Sequence, residues 1–144
     1  MTQQSDQVIR GTGWQADHAR TYIDTNGEEG HIWRGLTTLL LTTTGKKTGE
    51  PYTTPLIYGE DNGRYIIVAS YGGAQKNPQW YRNLVAQPEV GLQVGAERFR
   101  ARARTANAEE KPALWQKMSQ IFPTYNEYQA KTERDIPVVI LERI

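Results

Sequence analysis

The 144-residue chain contains no cysteine. Disulfides, thiolate metal sites and a cysteine nucleophile are thereby excluded. Histidine is nearly absent too: His18 and His31 stand far apart, with no second ligand at metal spacing. A serine triad needs a histidine beside a carboxylate and a serine, and loop or surface polarity is the plainer reading of both rings. No apolar run approaches the ~20 residues that span a bilayer. The polar opening, residues 1–10, lacks the apolar centre of a secretory signal and is expected to be loose at its start. Charge of one sign is missing as well, since 17 basic and 16 acidic residues leave a net +1. No overall field therefore draws the chain to nucleic acid or anionic lipid. The expectation is a cytoplasmic protein without a transmembrane segment. A chain with neither thiol, metal cluster nor triad has little chemistry of its own. If it is an enzyme, a cofactor carries the reactive atom.

What is present organises one ordinary domain. Residues 1–30 read as an N-terminal segment with a short helix at 15–25, where Ala16, Ala19, Tyr22 and Ile23 share a side. The middle reads as β-structure: strands at 36–44, 52–58 and 64–70, separated by Gly45-Lys46-Lys47-Thr48-Gly49 and by Asp61-Asn62-Gly63, and expected to form an antiparallel meander. Asn-Gly favours a tight hairpin. Pro55 removes a ladder donor and belongs at an edge or a bulge. After a glycine-rich loop at 71–76, Asn77 is placed as N-cap and Pro78 as the first residue of a helix with Trp80, Tyr81, Leu84 and Val85 on its apolar face, stopped by Pro88. A hairpin follows at 89–94 and 97–105, then a helix at 108–122. Thr124 and Glu127 form a capping-box pattern, and residues 136–141 make a last apolar strand. Strand–helix–strand alternation is missing, which argues against a parallel doubly wound sheet. The order fits a mainly β fold with peripheral helices, an antiparallel closed or split barrel over residues 31–144.

Two familiar motifs fail on context. Gly11-Thr12-Gly13-Trp14-Gln15-Ala16 matches a dinucleotide-binding pattern, but only Val8 and Ile9 precede it where a buried strand is required. Gly45-Lys46-Lys47-Thr48 resembles the end of a phosphate-binding P-loop, but the glycine that should open such a loop falls at Leu40. The turn retains a simpler meaning. Glycines at both ends free backbone N–H groups, and two lysines add charge, which suits a phosphate; an ordinary solvated turn has the same composition. Likewise the Gly72-Gly73 loop leads into a helix N-terminus, where backbone can approach an anion closely.

Taken together, residues 39–49, then Pro51, Pro55 and Leu56, Ala69-Ser70, Gly72-Gly73-Ala74, Lys76-Asn77-Pro78 and Trp80-Tyr81-Arg82-Asn83-Leu84, in this order and spacing, resemble the deazaflavin-dependent nitroreductase family. Residues 122–129 and Ile136-Pro137-Val138 extend the resemblance, which covers roughly residues 30 to 142. It implies an FMN-binding split-barrel-like fold and a coenzyme F420-dependent oxidoreductase. Such an enzyme passes a hydride from the reduced coenzyme to a quinone, nitroaromatic or similar acceptor.

By the same resemblance Lys46, Lys47 and Thr48 hold the phosphate side of the cofactor. Tyr52, Thr53, Thr54, Pro55, Leu56 and Ile57, with Val68, Ala69, Ser70 and Tyr71, line the deazaflavin ring. Gln79, Trp80, Tyr81, Arg82 and Asn83 close the site from the helix, where one of the two aromatics is expected to be core packing. Ser70, Tyr125 and Tyr128 are the catalytic candidates: Ser70 ends a strand beside the ring, and the two tyrosines share a helix face, where they either cap the acceptor pocket, Tyr125 also reaching the cofactor, or only pack against Phe122. In that family the position of Tyr52 is often basic and that of Tyr71 is basic in some members, so that phosphate binding here is either weaker or carried more by Lys46, Lys47 and Lys76. Arg98, Arg100, Arg102 and Arg104 alternate along one strand and share a face. A solvated surface is the plain reading of that face, contact with the acidic oligoglutamate tail of the coenzyme a sharper one. Three alternatives stay open: an FMN-binding split-barrel oxidoreductase, a non-catalytic F420-binding protein, and a small barrel for single-stranded nucleic acid, the last disfavoured by the charge balance. A homodimer follows by fold analogy, and peripheral contact with the inner membrane face through residues 1–35 suits a quinone acceptor.

Overall fold

The computed structural model of the protein describes residues 7–10 and 12–144. The loose start at residues 1–6, and Gly11 of the rejected glycine motif, lie outside the described residues.

Helix α1, Trp14–Asp24, buries Ala16, Ala19 and Tyr22, the three-residue spacing of one face. It is fastened by the Tyr22 hydroxyl, which donates to the Thr38 carbonyl at 2.9 Å and accepts from the Gly95 amide at 2.8 Å. Strands β1, Ile32–Trp33, and β2, Leu36–Thr44, form a hairpin. Strands β3, Pro51–Ile57, β4, Gly59–Asp61, and β5, Arg64–Val68, follow. A single 3-10 turn at Tyr71–Gly73 leads to α2, Gln79–Ala86. Strands β6, Glu89–Val94, and β7, Glu97–Thr105, make the next hairpin; α3, Lys111–Ile121, α4, Thr124–Lys131, and β8, Val138–Arg143, complete the chain.

The sheet runs β2-β6-β7-β8-β5-β4, antiparallel throughout, with β3 on the remaining edge of β2. Residues 51–61 are one stretch broken at Tyr58: its first part pairs with β2 and its second with β5. That stretch joins the two ends of the sheet and curls it into a split barrel, mainly β with peripheral helices. The expected meander is corrected at this point. The third strand pairs with β4 and β8 rather than with β3, because the chain turns at Tyr58 before the ladder can continue. Pro55 stands on a strand with one ladder partner, where its missing N–H costs nothing.

Strand β8 shows how the layers divide. Val139 and Leu141 enter the barrel with Leu39, Leu41, Ile67 and Leu92. Val138 and Ile140 face the other way, onto Leu114 and Met118 of α3 and onto Tyr125 of α4. A strand buried on both faces reads as an unbroken apolar run, and each such aliphatic contributes roughly 1.5–3 kcal/mol.

Three local expectations are corrected. Helix α2 starts at Gln79 with Pro78 flanking it, and Asn77 is not its cap; the Asn77 Oδ1 accepts a hydrogen bond from Arg134 instead. Val85 is 58% exposed and lies off the apolar face. The Thr124–Glu127 box does not form, because Thr124 is already inside α4 and Pro123 holds the flanking place. Three of the four arginines form a solvated ion-pair network, Arg100 and Arg102 with Glu89 and Arg104 with Glu110 and Glu142, while Arg98 donates to the Gln7 side chain.

Candidate active site

The turn after β2 does not leave its backbone N–H groups free as the flanking glycines suggested. Gly45 is required there, since a Cβ would fall 2.4 Å from the Thr48 Oγ1 and 2.6 Å from the Tyr52 ring. The amides of Gly45, Gly49 and Glu50 are engaged within the turn, by the Glu50 carbonyl, the Gly45 carbonyl and the Thr48 Oγ1. The Lys46 amide donates to the Asn83 Oδ1 at 3.0 Å. Asn83, 1% exposed, also accepts from the Gln79 side chain at 2.9 Å and donates to the Thr43 Oγ1. One buried amide thus locks the turn to α2. Lys46, Lys47, Thr48, Tyr52 and Arg82 line the resulting hollow of about 470 Å³, with Gln79 and Asn83 at its inner side. Among the described residues no ion pair engages Lys46, Lys47 or Arg82. Among the described residues, no carboxylate lines the hollow beside these three cations.

Gln79 also lines a second, mostly apolar cavity of about 420 Å³. One wall is β3, through Thr54, Pro55, Leu56 and Ile57. The base is Val68, Ser70, Tyr71 and Trp80. The far wall comes from α4 and its approach: Phe122, Tyr125 and Tyr128, whose rings touch at centroid distances of 5.0 Å and 6.3 Å. Tyr125 is 4% exposed, and burial pushes its phenol well above the usual tyrosine range, with the neighbouring Tyr128 adding to the shift. It is therefore a neutral hydrogen-bond donor at any physiological pH. Ser70 flanks the 3-10 turn without capping it, which leaves its hydroxyl for the cavity.

Most of the residues expected from sequence line one or other of these two spaces. Lys46, Lys47, Thr48, Tyr52, Arg82 and Asn83 lie in the cationic hollow; Thr54 to Ile57, Val68, Ser70, Tyr71, Trp80, Tyr125 and Tyr128 lie in the apolar one; Gln79 belongs to both. Three residues do not join them. The Thr53 hydroxyl is bonded to Thr42 and to the Val8 amide. Ala69 is buried in the barrel core. Tyr81 is partly buried against that core and shares a hydrogen bond with the Thr105 hydroxyl at 2.7 Å, while Trp80 is itself a buried member of the core as well as a lining residue of the apolar cavity. Lys76 and the four arginines of β7 line neither space.

The sequence reading missed the front of the cavity. Trp14 and His18 of α1 and Trp33 of β1 close it as a stack: Trp14 lies on Trp33 at 5.4 Å and 9° between planes, and His18 on Trp33 at 6.3 Å. His18 Nε2 is 2.7 Å from the Gly30 carbonyl, which holds the ring in place. Trp14 is 61% exposed; a tryptophan at the first turn of a polar helix was the available signal. Three of the four tryptophans line this cavity.

A family model described as F420H(2)-dependent quinone reductase matches residues 14–143. An F420H(2)-dependent quinone reductase of Mycobacterium tuberculosis is 43% identical over 130 residues, 88% of this chain and 87% of the relative. Among solved structures, an F420-H2 dependent reductase (FDR-A) is 43% identical with a TM-score of 0.68, over 73% of this chain and 93% of that one. A second, described as a domain-swapped dimer, is 37% identical with a TM-score of 0.71, over 88% and 98%.

Proposed function

Because the chain belongs to the F420H(2)-dependent quinone reductase family, and is thus an oxidoreductase with coenzyme F420 as its cofactor, we propose that it reduces a quinone, nitroaromatic or similar planar acceptor held in the apolar cavity. The observation that carries this reading is the junction at Gln79. That one residue lines both a hollow flanked by Lys46, Lys47 and Arg82 and an apolar cavity flanked by β3, Ser70 and two tyrosines. An anionic, phosphate-bearing group with a planar ring has that division of character, so the residues present fit the cofactor.

Lys46, Lys47 and Arg82 would hold the phosphate side, with Asn83 keeping the turn in shape. Thr54 to Ile57 and Val68 would flank the ring, and the Ser70 hydroxyl would hydrogen-bond its edge or the acceptor. When bound in reduced form, coenzyme F420 supplies a hydride. The protein's part is to align donor and acceptor and to exclude water. Phe122, Tyr125 and Tyr128 do this from one side, and the Trp14–Trp33 stack from the other. Tyr125, kept neutral by burial, presents an O–H to the oxygen that gains charge as the acceptor is reduced. We place this activity in the cytoplasm; no described helix is long and apolar enough to cross a membrane. Self-association follows the domain-swapped relative, and sedimentation velocity tests it.

Titration with oxidised coenzyme F420 and, separately, with FMN, followed by tryptophan fluorescence, tests the cofactor site. Saturable quenching by F420 alone is expected, because Trp14, Trp33 and Trp80 all line the cavity. Oxidation of the reduced coenzyme is then followed with a quinone and with a nitroaromatic. Tight FMN binding, or F420 binding without turnover of either acceptor, overturns the proposal.

A further inference from the structure

Arg134 follows α4 in sequence, yet its side chain is spent on the loop at 69–77. Its Nε donates to the Ala74 carbonyl at 2.8 Å and its Nη1 to the Asn77 Oδ1 at 2.7 Å. Its Nη2 lies 2.8 Å from the Ser70 carbonyl and 3.3 Å from that of Ala69. Every acceptor is a neutral dipole on that loop, and among the described residues Arg134 has no carboxylate partner. Desolvation lowers its pKa from the usual guanidinium range. A cation that meets only carbonyls and an amide serves to fix their geometry, and the planar fork of five N–H donors suits arginine to four acceptors at once.

The other end of the residue is tied to α4. Gln129 donates to the Arg134 carbonyl at 2.8 Å and accepts from the Ile136 amide at 3.0 Å. Thr132 accepts from the Arg134 amide and donates to Gln75 in the loop. The two segments also touch directly: a Cβ on Gly73 would lie 2.9 Å from the Tyr128 carbonyl oxygen. The loop needs such fastening. Tyr71, Gly72 and Gly73 are three successive residues at positive φ, 48°, 63° and 83°, a conformation a tyrosine adopts only under constraint.

We infer that Arg134 is the positioning residue of the acceptor chamber, setting the separation between the Ser70–Tyr71 wall and the Tyr125–Tyr128 wall. The inference rests on the function proposed above. It assigns the control of acceptor geometry to a side chain that lines neither cavity.

The test is Arg134→Ala, with Arg134→Lys beside it. Acceptor kcat/KM falls on the order of ten- to a hundredfold in Arg134→Ala, while the F420 dissociation constant changes far less, since Arg134 bonds none of Lys46, Lys47, Thr48, Tyr52 and Arg82, which line the cationic hollow. Arg134→Lys keeps the charge but not the fork, and remains impaired. Added guanidinium ion at non-denaturing concentration restores turnover to Arg134→Ala and not to the wild type. Amide exchange of the unliganded protein is read in parallel. The Gly73 and Ala74 amides, bonded to Ser70 and Tyr71, exchange faster in Arg134→Ala and are slowed again by guanidinium. Wild-type acceptor kinetics in Arg134→Ala, or a fall in F420 affinity equal to the fall in turnover, overturns the inference. Unchanged exchange overturns it even if the wild type proves to reduce no acceptor; accelerated, rescuable exchange in that case leaves the positioning role standing and removes only the reaction assigned above.

Discussion

Asn83 concentrates more of the site than any lysine does. Its amide satisfies the Lys46 N–H, the Gln79 side chain and the Thr43 hydroxyl at once, away from water. Replacing it with Ala leaves those groups unpaired, at a cost of about 1–3 kcal/mol each where they stay buried. Asn83→Ala is expected to weaken F420 binding roughly tenfold, with kcat at saturating coenzyme little changed, because the turn loosens while the chamber does not. Fluorescence titration and steady-state kinetics on the same sample check that split. The tyrosines divide the other way. Tyr125→Phe and Tyr128→Phe should each lower acceptor turnover more than coenzyme affinity, and unchanged turnover in the double variant would remove their assigned role.

Among the elements, the junction of the 69–77 loop with α4 tolerates least change. Gly73 combines φ +83° with backbone of Tyr128 at contact distance, so Gly73→Ala is both strained and clashing. It should destabilise the protein by about 1–3 kcal/mol, read as a lower denaturant midpoint, and should raise the acceptor KM more than the F420 dissociation constant. Helix α1 matters for a different reason. Its Trp14 makes no core contact that the fold needs, being largely exposed, yet it forms half of the stack at the cavity front. Trp14→Ala is therefore expected to leave stability within about 0.5 kcal/mol and to raise the acceptor KM several-fold. A shift in thermal midpoint without a kinetic effect would show that the stack is structural.

At the scale of the whole molecule, the alkaline limit of stability is set by buried phenols. Burial pushes Tyr22 up to about 12, and Tyr58, Tyr65 and Tyr125 in the same direction. Below about pH 10 these phenols are protonated in both folded and unfolded chains and confer no pH dependence. Above it the unfolded chain releases protons that the folded one keeps, so stability falls as pH rises toward 12. Urea midpoints should be flat from pH 8 to 9.5, as far as these groups are concerned, and drop by pH 11. Tyr22→Phe should lower stability at pH 8, through the lost bonds to Thr38 and Gly95, while making the decline above pH 10 shallower.

How much of this was legible in the sequence depends on the range of the interaction. Local alternation and turn chemistry located every long strand, and Asn62-Gly63 forms the hairpin it signals, with both residues at positive φ. The charged turn at 45–49 and the apolar stretch at 54–57 were readable for the same reason: residues adjacent in the chain make them. Helix caps were misplaced at Asn77 and Thr124 because a local rule competed with a partner distant in sequence, Arg134 in the first case, and with a proline already holding the place in the second. Gly59 after Tyr58 marks the end of a good strand, but only the closing of the sheet decides that Gly59–Asp61 continues as a second strand paired with β5. The same holds for the stack of Trp14 on Trp33 and for the grip of Arg134 on a loop some sixty residues earlier. Sequence alone determined the elements and the balanced charge, because those follow from composition and short-range pattern, and it indicated the cofactor only through resemblance to a known family. Barrel closure, the aromatic front of the cavity and the clamp behind it were decided by tertiary structure, because each joins groups that no period in the chain relates.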